Sequence, residues 1–206
     1  MQYLFDGVKE FNSGEFIEHQ KLFEKIGRSQ EPHTLFIGCS DSRVVPNLIT
    51  KTLPGELFVI RNIANIVPMY RESEEYLSTT SAIEYAVKIL NVSNIIVCGH
   101  SNCGGCNALY MDNISGSEIP HTMKWLELAK NVKEKVTRLK IADPAQREWV
   151  TEQLNIVEQM NHLLTFPYIL EKFTKGKLNI LGWYYIIQTG EVFNYQKEER
   201  KFVKIE

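Results

Sequence analysis

The 206-residue sequence predicts an α/β fold: a mainly parallel central sheet with flanking helices, an N-terminal helical arm and a C-terminal antiparallel edge hairpin. Three observations lead there. Short apolar runs at Thr34-Leu35-Phe36-Ile37-Gly38, Glu56-Leu57-Phe58-Val59-Ile60-Arg61 and Asn94-Ile95-Ile96-Val97-Cys98-Gly99 read as buried strands. Between the second and third, Ala82, Ile83, Ala86, Val87 and Leu90 recur at helical spacing, and strand–helix–strand alternation implies parallel pairing through right-handed crossovers. Finally, a β-rich run from Leu178 to Thr189 turns at Gly190 into Val192-Phe193-Asn194-Tyr195, the pattern of a closing hairpin.

The first 27 residues read as one or two amphipathic helices. Phe11, Phe16, Ile17, Phe23 and Ile26 supply the apolar stripe, and Asn12-Ser13-Gly14 supplies the break. Such an arm needs a surface to pack on, and a second subunit is one candidate. Residues 122–140 and 145–173 are helical by periodicity. Neither an internal repeat nor a linker interrupts the chain, so residues 1–206 are expected to form one domain, with 1–27 as its arm.

Composition narrows the classes of function. Hydrophobic residues make up 44% and charged residues 23%, an ordinary globular balance. A net charge of -2 without a Lys/Arg cluster offers no footprint for nucleic acid. No apolar run reaches the ~18 residues of a membrane span. The start, Met1-Gln2-Tyr3-Leu4-Phe5-Asp6-Gly7, lacks a secretory signal pattern, so a cytoplasmic address is expected. Four cysteines, at 39, 98, 103 and 106, are too sparse for a disulfide scaffold. In a reducing compartment they are buried hydrophobes, redox groups or metal ligands, and their neighbours decide which.

Those neighbours are polar clusters at strand ends. Cys39-Ser40-Asp41-Ser42-Arg43 follows the first strand, and Gly99-His100-Ser101-Asn102-Cys103-Gly104-Gly105 follows the third. In open α/β sheets ligands bind at the carboxyl ends of strands, so both clusters are expected on one rim. Zinc favours thiolate and imidazole in a tetrahedral set. His100-x-x-Cys103 offers two ligands on one turn and Cys39 a third, while Asp41 can reach the fourth position. A Cys₂His site with an exchangeable fourth ligand is what a catalytic zinc needs. Arg43 can pin Asp41 through a bidentate pair that also keeps the carboxylate ionised.

Taken together, these two clusters resemble the β-class carbonic anhydrase signature in order and spacing. The resemblance runs on through Pro54-Gly55-Glu56-Leu57-Phe58-Val59-Ile60-Arg61-Asn62-Ile63-Ala64-Asn65 and Ser81-Ala82-Ile83-Glu84-Tyr85-Ala86, covering residues 30–110 closely and the rest loosely. It implies reversible hydration of CO₂ to bicarbonate and a proton, by attack of zinc hydroxide. It implies one zinc per chain on Cys39, His100 and Cys103, and Asp41 as a switch: a metal ligand when the site is closed, an acceptor when Arg43 holds it away. Gln30, Phe58 and Tyr85 fall where the plant-like subgroup carries its CO₂-pocket glutamine, phenylalanine and tyrosine, and the Gly104 N–H matches a substrate-contacting position. The family builds its site at a dimer interface, so a homodimer or dimer of dimers is implied, with the pocket residues facing a neighbour's zinc. A subgroup with a non-catalytic bicarbonate site carries tryptophan three residues before the first ligand cysteine. Phe36 stands there instead, so bicarbonate inhibition is not expected.

Other readings remain beside this one. A CS₂ or COS hydrolase would share the metal site and differ in access to the pocket. Cys103-Gly104-Gly105-Cys106 is also a C-x-x-C, compatible with a redox dithiol or a non-catalytic zinc module. Cys98 and Cys106 are read as buried structural thiols, and Arg61 as a buried hydrogen-bonded charge without assigned chemistry. His19, His33, His121 and His162 are read as solvated or satisfied in the core. Trp183-Tyr184-Tyr185 is read as strand packing, and Lys197-Glu198-Glu199-Arg200-Lys201 as a solvated face.

Overall fold

A computed structural model describes residues 1–72, 77–111 and 118–206. The arm comes first, as three short helices: α1 (Gln2–Ser13), α2 (Glu15–Glu18) and α3 (Gln20–Ile26). The expected break falls at Gly14, and a second falls at His19. Phe11, Phe16 and Phe23 cluster with ring centroids 5.2–6.1 Å apart, which folds the arm on itself.

The body follows as β1 (Thr34–Cys39), α4 (Pro46–Thr50), β2 (Leu57–Asn62), α5 (Ser78–Glu84) and β3 (Asn94–His100). After α5 the helix widens into a π turn at Tyr85–Ile89, where the Leu90 N–H reaches back to the Tyr85 carbonyl at 3.0 Å. Then come α6 (Gly104–Ala108), α7 (Pro120–Leu126), α8 (Lys130–Arg138), α9 (Pro144–Leu163), α10 (Pro167–Thr174), β4 (Asn179–Tyr185), β5 (Val192–Gln196) and β6 (Lys201–Lys204). Residues 145–173 thus form two helices. Asp143 caps α9, accepting from the Ala145 and Gln146 N–H groups, with Pro144 at the first position; Pro167 opens α10 in the same way.

The sheet order is β2-β1-β3-β4-β5-β6, parallel through β4 and antiparallel at the β5–β6 edge. β6 extends the expected hairpin by one strand, beginning at the last residue of the charge run. Strand alternation divides the core. Leu35, Ile37, Ile95 and Val97 face a cluster that includes Ile83 and Val87 of the α5 segment, Ile156 of α9 and Ile169 of α10. Phe36, Ile96 and Cys98 occupy the opposite face with Trp183 packed against them. Close approach of α9 depends on Gly99 and Gly182, where a Cβ would lie 2.7 Å and 3.0 Å from Ile156. Among the described residues no helix is long and apolar enough to cross a membrane.

From β1 the chain goes to β2 on one side, then crosses back to β3 on the other. Strand order therefore reverses between β1 and β3, the place where open α/β sheets form a crevice beyond their carboxyl ends. Gly38 pairs with Cys98, which sets Cys39 and His100 side by side at that rim.

Candidate metal centre

The last residue of β1 is Cys39, the last of β3 is His100, and Cys103 caps α6 three residues later. All three are buried, and one ligand atom from each lies within 4.8 Å of the others. The two thiol sulfurs are 4.0 Å apart. His100 Nδ1 lies 3.0 Å from the Ser101 carbonyl oxygen. A carbonyl only accepts, so Nδ1 carries the proton and the Nε2 lone pair faces the thiols. That Nε2 is buried and has no hydrogen-bond partner.

The donor set fits zinc. A buried imidazole nitrogen that faces two thiols without a partner calls for one, and a metal ion supplies it. The Cys39 thiol is pushed up to about 12 by its hydrogen bond with Cys103 and by burial, and Cys103 is raised by its neighbour Cys106, with burial adding to the rise. Two buried thiols this close become thiolates only against a compensating cation. A carbonyl partner on the far ring nitrogen is also the usual support of a metal-binding histidine.

Asp41 stands beside this group. Arg43 grips its carboxylate with Nε on Oδ1 at 2.9 Å and Nη2 on Oδ2 at 2.7 Å, and the Arg43 N–H also donates to Oδ1 at 3.0 Å. The hydrogen bonds from the Arg43 guanidinium hold the Asp41 carboxyl well below the usual carboxylate range. The same Nη2 donates to the Asn102 carbonyl at 3.1 Å, tying the β1 loop to the β3 loop. Asp41 Oδ2 lies 3.8 Å from His100 Nε2, so the dyad borders the ligand group.

The remaining expected residues are spread more widely. Gly104 opens α6, where first-turn N–H groups lack helical partners, and a Cβ there would meet nothing within 4 Å. Phe58 and Tyr85 form an aromatic pair with centroids 6.0 Å apart. Phe58 pairs with Leu35, four residues before the Cys39–Asn62 level, or about 13 Å back along the strands. Gln30 is exposed in the segment between α3 and β1. Cys98 and Cys106 are buried.

Two supporting residues carried no assigned chemistry from sequence. Arg61, exposed rather than buried, donates through Nε to the Cys39 carbonyl at 3.0 Å and through Nη2 to the Asp41 carbonyl at 2.6 Å. Glu152 of α9 is 2% exposed; it accepts the Cys103 N–H at 2.8 Å and the Tyr184 hydroxyl at 2.7 Å. Burial pushes its carboxyl up to about 7. A signal was present: Glu152, Asn155, Gln159 and His162 recur every three or four residues within an otherwise apolar helix face.

The family model described as carbonic anhydrase matches residues 34–192. The chain is 42% identical over 206 residues to a carbonic anhydrase of Helicobacter pylori, covering 98% of this chain and 93% of that one. It is 36% identical over 205 residues to a carbonic anhydrase of Pseudomonas aeruginosa, covering 100% and 92%. Among solved structures it resembles the β-carbonic anhydrase CcaA with a TM-score of 0.95 at 38% identity, covering 100% of this chain and 99% of that one. It also resembles one of two tetrameric β-carbonic anhydrases of Sordaria macrospora, with a TM-score of 0.82 at 33% identity and coverage of 94% and 95%.

Proposed function

Because this chain belongs to the β-class carbonic anhydrases, we propose that it hydrates CO₂ at a zinc held by Cys39, His100 and Cys103, with Asp41 and Arg43 gating the fourth position. The observation that carries this reading is the buried Cys-His-Cys group whose imidazole Nε2 has no partner, bordered by an arginine-gripped aspartate. Zinc there would lower the pKa of water toward ~7 and make hydroxide available at neutral pH.

The chain's own residues do the rest. His100 is fixed in one tautomer by the Ser101 carbonyl, so its Nε2 lone pair is always presented. Asp41 stays ionised in the grip of Arg43, so it accepts a hydrogen bond and orients the donor without taking the proton. The Gly104 N–H donates to a substrate oxygen in the open space before α6. Phe58 and Tyr85 give an apolar wall suited to uncharged CO₂, and Gln30 a polar contact at its edge; these three support the plant-like subgroup. The ~13 Å between the levels of Phe58 and Cys39 supports a pocket completed across two subunits, a homodimer or dimer of dimers. Phe36 is fully buried against Trp183, centroids 6.4 Å apart, which supports the lack of a bicarbonate-inhibitory site. Residues 1–206 act as one domain in this reading. The four cysteines, all free and buried, suit a reducing compartment such as the cytoplasm.

Stopped-flow CO₂ hydration in alkaline buffer, at about pH 8.5, tests the proposal on zinc-loaded protein. Rapid hydration is expected, with collapse in Asp41→Ala and full retention of zinc in Cys106→Ser. Absence of hydration with one zinc per chain would shift the function to CS₂ or COS hydrolysis or to a non-catalytic module. Zinc loss in Cys106→Ser would overturn the ligand set.

A further inference from the structure

We infer that Glu152 is a positioning residue for the metal centre: its buried carboxylate fixes the main chain at Cys103 and so sets where that thiol meets Cys39 and His100. The inference rests on the reading that these three residues hold zinc. Both carboxylate oxygens are committed, Oε1 to the Cys103 N–H at 2.8 Å and Oε2 to the Tyr184 hydroxyl at 2.7 Å. One side chain thereby joins α9, the metal loop and β4.

The loop needs such an anchor. Asn102, just before Cys103, adopts φ +55°, a left-handed turn of the chain that leaves the next N–H outside regular pairing. Cys103 itself is extended, at φ -77° and ψ 111°, so its N–H lies outside the hydrogen bonding of α6. That donor is buried, and Glu152 Oε1 is the acceptor it meets. Packing alone gives no reason for an acid here. Burying a carboxylate is costly, so both of its oxygens must be used. An apolar side chain would strand two buried donors, the Tyr184 hydroxyl and a metal ligand's own amide. The anchor is also stiff. Ile156, one turn along α9, lies against Gly99 and Gly182 of the sheet, and Asn155 donates to the Ala64 carbonyl at 2.9 Å.

Competition of zinc-loaded protein against a chelator is the test, with cobalt-loaded samples reporting ligand geometry through their absorption bands. Glu152→Ala is expected to bind zinc ~10–100-fold more weakly, the usual cost of losing a partner outside the ligand shell, and to shift the cobalt bands. Glu152→Gln still offers an oxygen to the Cys103 N–H and is expected to restore most of the affinity and the wild-type cobalt spectrum. Wild-type affinity in Glu152→Ala, even with a lowered Tm, would overturn the inference and leave Glu152 a scaffold residue. Glu152→Gln as weak as Glu152→Ala would overturn it too, because charge rather than placement would then be responsible. Should Glu152→Ala not fold, Tyr184→Phe, which removes one anchoring hydrogen bond, carries the test. A weaker affinity with shifted cobalt bands supports the inference, and an unchanged pair overturns it. A wild-type chain that holds no zinc would overturn the metal reading as well, whereas zinc held equally by wild type and Glu152→Ala overturns only this one.

Discussion

Arg61 shows how much of this centre is built from main-chain contacts. Its guanidinium reaches across from β2 to the Cys39 and Asp41 carbonyls, while Arg43 holds the Asp41 carboxylate and the Asn102 carbonyl. The loop that presents the Cys39 thiol and the Asp41 carboxylate is therefore fixed from two sides. Arg61→Met preserves length and removes both donors. It should weaken zinc binding, because the Cys39 main chain loses its donor, and lower kcat/KM for CO₂ hydration by about 10-fold or more. Stopped-flow rates measured beside metal analysis check this, and an unchanged rate would make Arg61 a surface charge. The difference in legibility at this scale has a physical cause. Zinc restricts its ligands to a few residue types, so Cys39, His100 and Cys103 stand out as candidates at their spacing, with Asp41 beside them. A residue that acts on a carbonyl or an N–H has no such signature, since every residue carries both groups. Arg61 became interpretable only when the register of β1 and β2 was known, and the polar spacing of Glu152 with Asn155, Gln159 and His162 only when the docking of α9 was known.

Among the elements, α9 has the heaviest structural task. Its buried face is part apolar and part polar. Ile156 and Leu163 enter the core, while Asn155, Gln159 and His162 take up main-chain groups of residues 64–67: the Ala64 carbonyl, the Val67 N–H at 2.8 Å and the Val67 carbonyl at 2.7 Å. That segment contains Ala64 and Asn65 at φ +60° and +46°, and side chains from α9 satisfy groups that no strand pairing covers. Periodicity located the helix but did not assign its polar residues to the inner face, because polar residues at such spacing are ordinarily a solvated face. On the neighbouring turn, Glu158 ties α9 to α8 through Lys135 Nζ at 2.6 Å and Asn131 at 3.4 Å. Burial pushes the Glu158 carboxyl up, but the Lys135 ammonium and Asn131 outweigh it, and the folded value ends below the ordinary one. A depressed carboxylate stabilises the fold above its unfolded value of ~4.3, and that contribution is lost as pH falls through the lower folded value. Lys135→Met should therefore cost about 1 kcal/mol at neutral pH, since Lys135 is half exposed. The gap from wild type should close as the pH drops below ~4. Denaturant unfolding of both proteins at the two pH values measures it. A gap of equal size in acid would assign the loss to the packing of the lysine stem.

At the scale of the whole molecule, the parallel sheet was legible because strands buried on both faces are continuous apolar runs, and the rim followed from strand order. The edge strand β6 was not legible: Lys201-Phe202-Val203-Lys204 is short and follows a charged turn, and pairing with β5 defines it. Quaternary structure is the other property that one chain's pattern does not display. In α1 no residue is buried, and Tyr3, Leu4, Phe5 and Val8 are each more than half exposed. Val45, Leu48, Ile63 and Tyr85 are exposed as well, on the body that carries the Cys-His-Cys group. A single chain rarely leaves so much apolar surface in water. The intact protein should therefore sediment as a multiple of its 23.8 kDa chain mass. Deleting residues 1–27 should shift it toward smaller species while zinc stays at one per chain, because Cys39, His100 and Cys103 lie on β1, β3 and the turn after β3 of the same chain. Hydration should fall with the shift if the pocket is shared as proposed, since Phe58 sits ~13 Å back from the level of its own Cys39. Analytical ultracentrifugation paired with stopped-flow rates separates the two effects. A truncated chain that is monomeric, zinc-loaded and fully active would show that one subunit builds the whole pocket, and the shared site would have to be abandoned.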